Sequence, residues 1–279
     1  MSLKALQCKQ CGGQITMKAG VSIPTCPFCD TPQLSVLSLE EDIVHPKKMI
    51  DFAIDEQKAD ESFRTFAASS WWYPAEIKKA RLELRKIMIP AWMWYVELET
   101  HYAGLRSART ESGYIPFEGV EKLRIQQVLT PSSKGVSIHE LNAIGPFESE
   151  QSHAFDPDSI VVPYELAELT QDAALQSAMK EAQRLHQLRL KKQYQAKNIN
   201  VSCLFHTMEG TPTLLPVYIG VFRQNNYPYR IVINGINGKL IGKAPTDIRK
   251  ILLIAGIVLG LFFMFLVCSG GIKACTPVI

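Results

Sequence analysis

Two Cys-x-x-Cys pairs carry the plainest chemistry in the chain. Cys8-Lys9-Gln10-Cys11 and Cys26-Pro27-Phe28-Cys29 are separated by 14 residues. Two residues between ligands let both thiolates of a pair reach one ion, while the backbone N–H groups of the turn face the sulfurs. Four thiolates with no open position describe a structural Zn²⁺ site, tetrahedral, with Zn–S near about 2.3 Å. Gly12 and Gly13 can supply the φ > 0 that closes the first turn. Redox Cys-x-x-Cys pairs and iron–sulfur sites use the same side chain, but the doubled pair at this spacing favours zinc. Cys8, Cys11, Cys26 and Cys29 are therefore the expected metal ligands of a zinc ribbon over residues 1–35.

Other reactive groups are scattered. Of the seven cysteines, Cys203 stands alone, and Cys268 and Cys275 lie near the C-terminal end. His139-Glu140 lacks a second His four residues after the first, so the metalloprotease helix motif is absent. Cys203 and His206, three residues apart on a strand, point to opposite faces. No Gly-x-Ser-x-Gly elbow, dinucleotide glycine fingerprint or phosphate-binding Gly-Lys-Ser/Thr loop occurs. The expectation is a protein that is not an enzyme.

The elements around the cysteines read as α+β, with a mixed, mostly antiparallel sheet. Gln14–Met17 and Val21–Ile23 read as a hairpin inside the ribbon, too small to fold without metal. Residues 36–48 form a linker, and 49–247 a single α+β domain. Met49–Ile54 reads as a strand, and Asp55 as the N-cap of a helix to about Ala68 with Ala59, Phe63 and Phe66 on one face. Pro74 opens a second helix over Ala75–Leu84. Trp71-Trp72-Tyr73 before it reads as a staple packed on the core. Arg85–Tyr102 is the longest strand, apolar on both faces and so central, with a bulge or bend at Pro90. Gly104–Gly113 is a polar turn, Tyr114–Lys134 gives further strands, and Gly145–Pro157 is a loop. Tyr164–Lys197 is helical by composition, but its two apolar stripes, one at Leu166, Leu169 and Ala173, the other from Leu175 to Leu185, predict a break near Thr170–Ala174 or a switch of face. Asn198–Gly242 closes the domain as a meander, with turns at Asn225-Asn226 and a type I′ turn at Asn237-Gly238.

Residues 250–272 have another character. ILLIAGIVLGLFFMFLVCSGGI, Ile251–Ile272, contains no charged side chain. As a helix it rises about 33 Å, enough for a hydrocarbon core of about 30 Å. A single transmembrane helix is expected, with residues 273–279 as a short tail. Lys239, Lys243, Arg249 and Lys250 precede it and only Lys273 follows, so the positive-inside bias keeps the bulk of the chain in the cytoplasm, on the inner membrane. The start of the chain lacks an apolar run of the signal-peptide kind. In that compartment a cysteine cluster is a metal site rather than a disulfide framework. Gly256 and Gly260 form Gly-x3-Gly, a spacing that lets two such helices pair as a homo-oligomer.

A formal charge of +3 argues against nucleic acid as the main partner, since phosphate-backbone binding needs several cationic contacts. The ribbon itself carries only Lys9 and Lys18 between its first Cys and Lys47. The cysteine pairs, Ile89-Pro90-Ala91-Trp92-Met93-Trp94, Leu215-Pro216-Val217-Tyr218 and Tyr229 to Lys239 together resemble bacterial membrane-anchored zinc-ribbon proteins of unassigned biochemistry. Members are often labelled helicase-like or primosomal on the ribbon, and some are encoded beside flotillin-like (SPFH) proteins and linked to envelope stress. Ala91, Tyr218, Ile236 and Asn237 depart mildly from the shared pattern. The resemblance implies a scaffold or adaptor working through protein–protein contacts, with SPFH or envelope-stress proteins as partners. The alternative is a membrane-tethered nucleic-acid-binding regulator that uses the ribbon.

Overall fold

The computed structural model describes residues 3–18, 25–37, 44–108 and 113–271. Its organising element is strand β5, Leu82–Ser107, which is hydrogen-bonded along nearly its whole length to β9, Ala196–Gln224. At about 3.3 Å per residue such strands reach some 80 Å. Around them the described residues form an eleven-stranded mixed sheet with four α-helices. The first half of β5 is flanked on its other side by β8, Tyr164–Glu165, and the second half by β6, Tyr114–Pro131. The α+β, mixed-sheet expectation therefore holds, as does the central place of β5.

Pro90 sits inside this central strand without a bulge, contrary to expectation. The register to β9 is regular there, Pro90 opposite Leu214. Met88 N donates to Pro163 O at 2.9 Å, and Pro90 O accepts from Ser132 N at 3.0 Å, so this parity of β5 faces away from β9. The N–H that proline lacks would point into the gap where β8 ends and β6 begins, and no ladder bond is lost. The register shifts lie farther on, at Trp94/Val96 against β6 and at Glu97/Leu98 and Leu105/Arg106 against β9.

The N-terminal strands join the same sheet. β1 (Leu3–Cys8) pairs with both β2 (Gln14–Lys18) and β3 (Leu34–Leu37), and β2 pairs with β8 through Ile15↔Glu165 and Thr16↔Tyr164. The hairpin of the expected ribbon thus runs through the first cysteine turn, and the expected linker begins as a strand; Val21–Ile23 lies outside the described residues. Cys8, Ile15, Cys26 and Phe28 share one core cluster with Ile87, Ile89, Ala91, Val217 and Ile219. Helix α2, Ile138–Ile144, capped by a reciprocal Ser137–Glu140 box, closes that layer with Leu141 and Ile144.

On the opposite face lies α1, Glu56–Ala68, begun as expected by Asp55, whose carboxylate accepts from Lys58 N at 2.8 Å. Its Ala59, Phe63 and Ala67 pack on Tyr218, Phe222, Ile231 and Ile233. Those last two residues belong to β10, Tyr227–Asn234, reached by a turn at Asn225-Asn226 with φ of 51° and 66°. The strand expected over Met49–Ile54 shrinks to β4, Lys48–Met49, paired to β9 and to β7, His153–Ala154.

Four further expectations fail for non-local reasons. Ala75–Lys79 is a 3-10 turn, not a helix to Leu84, because Leu82 and Leu84 are taken into β5 opposite Phe222 and Gly220. The polar turn at Gly104–Gly113 is shorter, since β5 continues to Ser107; residues 109–112 lie outside the description. The long helix α3 spans only Gln171–Gln193, because Tyr164 and Glu165 pair with β5 and β2 instead. The expected break at Thr170–Ala174 is therefore the helix start, and Ala174, Ala178, Ala182, His186 and Leu190 form its buried i, i+4 stripe. That stripe lies on the β5–β6–β9 arm, whose core holds Trp92, Trp94, Val96 and Leu98. Asn237-Gly238 is not a two-residue type I′ turn: Ile233 pairs with Leu240 of β11 (Leu240–Gly242), and Asn234 N donates to Lys239 O at 2.8 Å across a longer loop. Last comes α4, Ile248–Gly271; residues 272–279, Cys275 among them, lie outside the described residues.

Candidate metal centre

Both Cys-x-x-Cys segments fold into the same turn. Cys8 O accepts from Gly12 N at 2.9 Å, and Cys26 O accepts from Asp30 N at 2.9 Å. Cys8 N donates to Gly13 O and Cys26 N to Thr31 O, so the second bond repeats as well. In each turn the residue after the second cysteine is left-handed, Gly12 at φ 76° and Asp30 at φ 63°. Gly and Asp are among the residues that tolerate this region. Gly13 serves differently from the expectation, since a Cβ there would come within 2.7 Å of the Phe28 ring.

The two turns bring the four sulfurs within 4.8 Å of one another. Cys8 Sγ lies 3.6 Å from Cys29 Sγ, and Cys11 Sγ lies 3.6 Å from Cys26 Sγ. Four thiolates at about 2.3 Å from one tetrahedral ion stand about 3.8 Å apart, so the arrangement is compatible with a metal site. Cys8 and Cys26 are buried, Cys29 is half-buried, and Cys11 reaches solvent. Among the described residues no other group of His, Cys, Asp and Glu converges in this way; Cys203 is remote, its sulfur 3.6 Å from the Thr100 hydroxyl.

Burial and neighbouring N–H groups pull the thiols in opposite directions. Burial pushes the Cys11 thiol up to about 11 and the Cys26 thiol higher still. Burial raises Cys8 too, but N–H groups of Cys11 and Gln10 and the neighbouring thiols outweigh it, bringing it to about 7. Without a cation the raised thiols stay protonated; a metal ion among the four sulfurs would favour their thiolate forms.

The site is held by residues that motif reading did not single out. Arg85, on β5, donates to Cys26 O at 2.8 Å and to Asp30 Oδ1 at 2.5 Å, and Arg223 of β9 donates to Asp30 Oδ2 at 2.8 Å. These contacts, Arg85 first, hold the Asp30 carboxyl below its usual range. Behind the cluster Phe28 packs over Gly135, where any Cβ would collide with its ring and with Glu165. Glu165 itself is 1% exposed and accepts from Ser133 Oγ at 2.6 Å and Gly135 N at 2.8 Å. A pairwise signal for Arg85 or Glu165 is missing from the sequence because both act across long separations.

Trp71-Trp72-Tyr73 departs from its expected role. Trp71 and Trp72 are 57% and 43% exposed, and only Tyr73 reaches the core, against Phe66. Helix α4 is long and apolar enough over Ile248–Leu266 to cross a membrane, and none of that stretch is buried by the rest of the chain. No family model, curated protein or solved structure matches the chain.

Proposed function

We propose that this chain is a membrane-anchored scaffold or adaptor, held by α4 as a single-pass span and carrying one structural Zn²⁺ on Cys8, Cys11, Cys26 and Cys29. The observation that carries the reading is the apolar helix, none of whose Ile248–Leu266 stretch is buried by the fold it joins. Removing one Leu, Ile, Val or Phe side chain from water is worth about 1.5–3 kcal/mol. A helix built of such residues, with no protein surface to cover it, calls for hydrocarbon. Lys239, Lys243, Arg249 and Lys250 on its near side favour a cytoplasmic domain at the inner membrane.

A protein-contact role agrees with the long arm. One face of its three strands is covered by α3, while Val120 of β6 and Leu204 of β9 are 58% and 53% exposed. Zinc in this reading stiffens the sheet's N-terminal edge and takes no part in a reaction. The test is fractionation of cells producing the full chain. The expected result is resistance to carbonate extraction, an N-terminal tag digested only in inverted inner-membrane vesicles, and SPFH or envelope-stress proteins in the detergent-solubilised complex. A chain released by carbonate refutes the anchor, and a purified complex without any protein partner refutes the scaffold.

A further inference from the structure

Four tryptophans divide into two kinds. Trp92 and Trp94 lie in the core at 4% and 1% exposure, whereas Trp71 and Trp72 stand on the surface with their rings 5.2 Å apart, edge to face. Two large indoles left in water on a short loop lack a purpose in the packing of this domain. Their backbone, however, is tied to the base of α4. Lys250 Nζ donates to Trp71 O at 2.6 Å and to Tyr73 O at 2.9 Å, and lies 5.1 Å from the Trp71 ring centre. Asp247 N donates to Trp72 O at 2.8 Å, and the Asp247 carboxylate lies 3.7 Å from Lys250 Nζ. At the other end of the loop Tyr73 packs on Phe66 of α1, so the loop is fixed to the domain as well as to the helix.

This fixes a depth. Lys250 is the last charged residue before the apolar run, and a cation at that place in a spanning helix lies at the headgroup level. Whatever is hydrogen-bonded to it lies at the same level. Indole rings are most favoured there, with the apolar body toward the acyl chains and N–H toward water. Arg249, with Lys78 and Lys79 exposed on the 3-10 turn that follows the loop, adds positive charge suited to lipid phosphate. We propose that Trp71 and Trp72 are an interfacial lipid-contact site that seats the α+β domain against the bilayer beside α4. The proposal rests on the reading of α4 as a membrane span.

The test uses the full chain in phosphatidylcholine–phosphatidylglycerol vesicles, with bromines placed near the glycerol end or near the methyl end of the acyl chains. Shallow bromines quench the tryptophan emission of the wild type more than deep ones, and W71F/W72F loses most of that quenching while keeping its thermal midpoint. Should the double variant misfold, the wild-type contrast between shallow, deep and unbrominated vesicles decides alone, because the other two indoles are buried. Emission equal in all three vesicles, from a chain that resists carbonate, overturns the lipid contact and leaves the anchor standing. A chain that carbonate strips from the vesicles overturns both.

Discussion

Glu165 is an acid placed where ionisation is costly. Burial raises its carboxyl to about 8 from an ordinary 4.5, against the opposing hydrogen bonds from Ser133 and Gly135. The folded state therefore holds a proton that the unfolded chain has already released between those values. Stability is fully present below about pH 4.5 and is lost as pH rises through about 8. The slope is at most about 1.4 kcal/mol per pH unit. Glu165→Gln keeps an acceptor for Gly135 N and removes the titration. Urea midpoints at about pH 5 and about pH 8 are expected to differ for the wild type and to converge in the variant; equal dependence in both refutes the assignment. The cysteines behave otherwise. Cys8→Ser with Cys11→Ser is expected to release the proposed zinc. Structural zinc in small modules supplies about 10–16 kcal/mol of apparent binding energy, as much as the whole stability of a typical domain. Because Cys8 and Cys26 share a core with Ile87 and Val217, amide exchange is expected to accelerate in β8 and the first half of β5, not in residues 3–37 alone. Protection lost only within 3–37 defeats this.

At the scale of elements, β5 is what fastens the second cysteine turn. Arg85→Ala removes a donor to Cys26 O and one of two cations on Asp30. Both partners keep some solvent, so the ion pair itself contributes modestly, and the carbonyl contact matters more. Chelator is expected to strip metal several-fold faster from the variant, with Arg85→Lys between it and the wild type and far-UV circular dichroism unchanged; equal stripping rates refute the role. Elements specified by neighbours in the chain were readable beforehand. The cysteine turns depend on spacing and on Gly12, and α1 begins where Asp55 can cap it. Elements specified by distant pairing were not. Tyr164-Glu165 has helix-forming neighbours, yet β2 and β5 claim it as a strand. Likewise strands were readable within Asn198–Gly242, but not that Ala196–Gln224 runs as one strand, which it does because β5 offers a matching edge with α3 behind it. Arg85 was visible only as a charge at a strand's start.

For the molecule as a whole, the geometry separates the proposed anchor from the fold. The fold's core clusters are built from residues before Ile248, and the stretch Ile248–Leu266 is not buried against any of them. What links helix to domain is a handful of contacts at Asp247 and Lys250 with the Trp71–Tyr73 loop. Removal of residues 251–279 leaves both of those residues in place. The truncated chain is therefore expected to leave the membrane fraction while melting within about 1–2 °C of the full chain in detergent, the range of a change that disturbs only surface. Retained metal, four thiolates resistant to alkylation, and an unchanged midpoint would together mean that the sheet and its cysteine edge are complete without the bilayer. A midpoint lowered by about 10 °C, several times that surface range, would mean instead that α4 packs on the domain, and the separation of anchor from fold would be wrong.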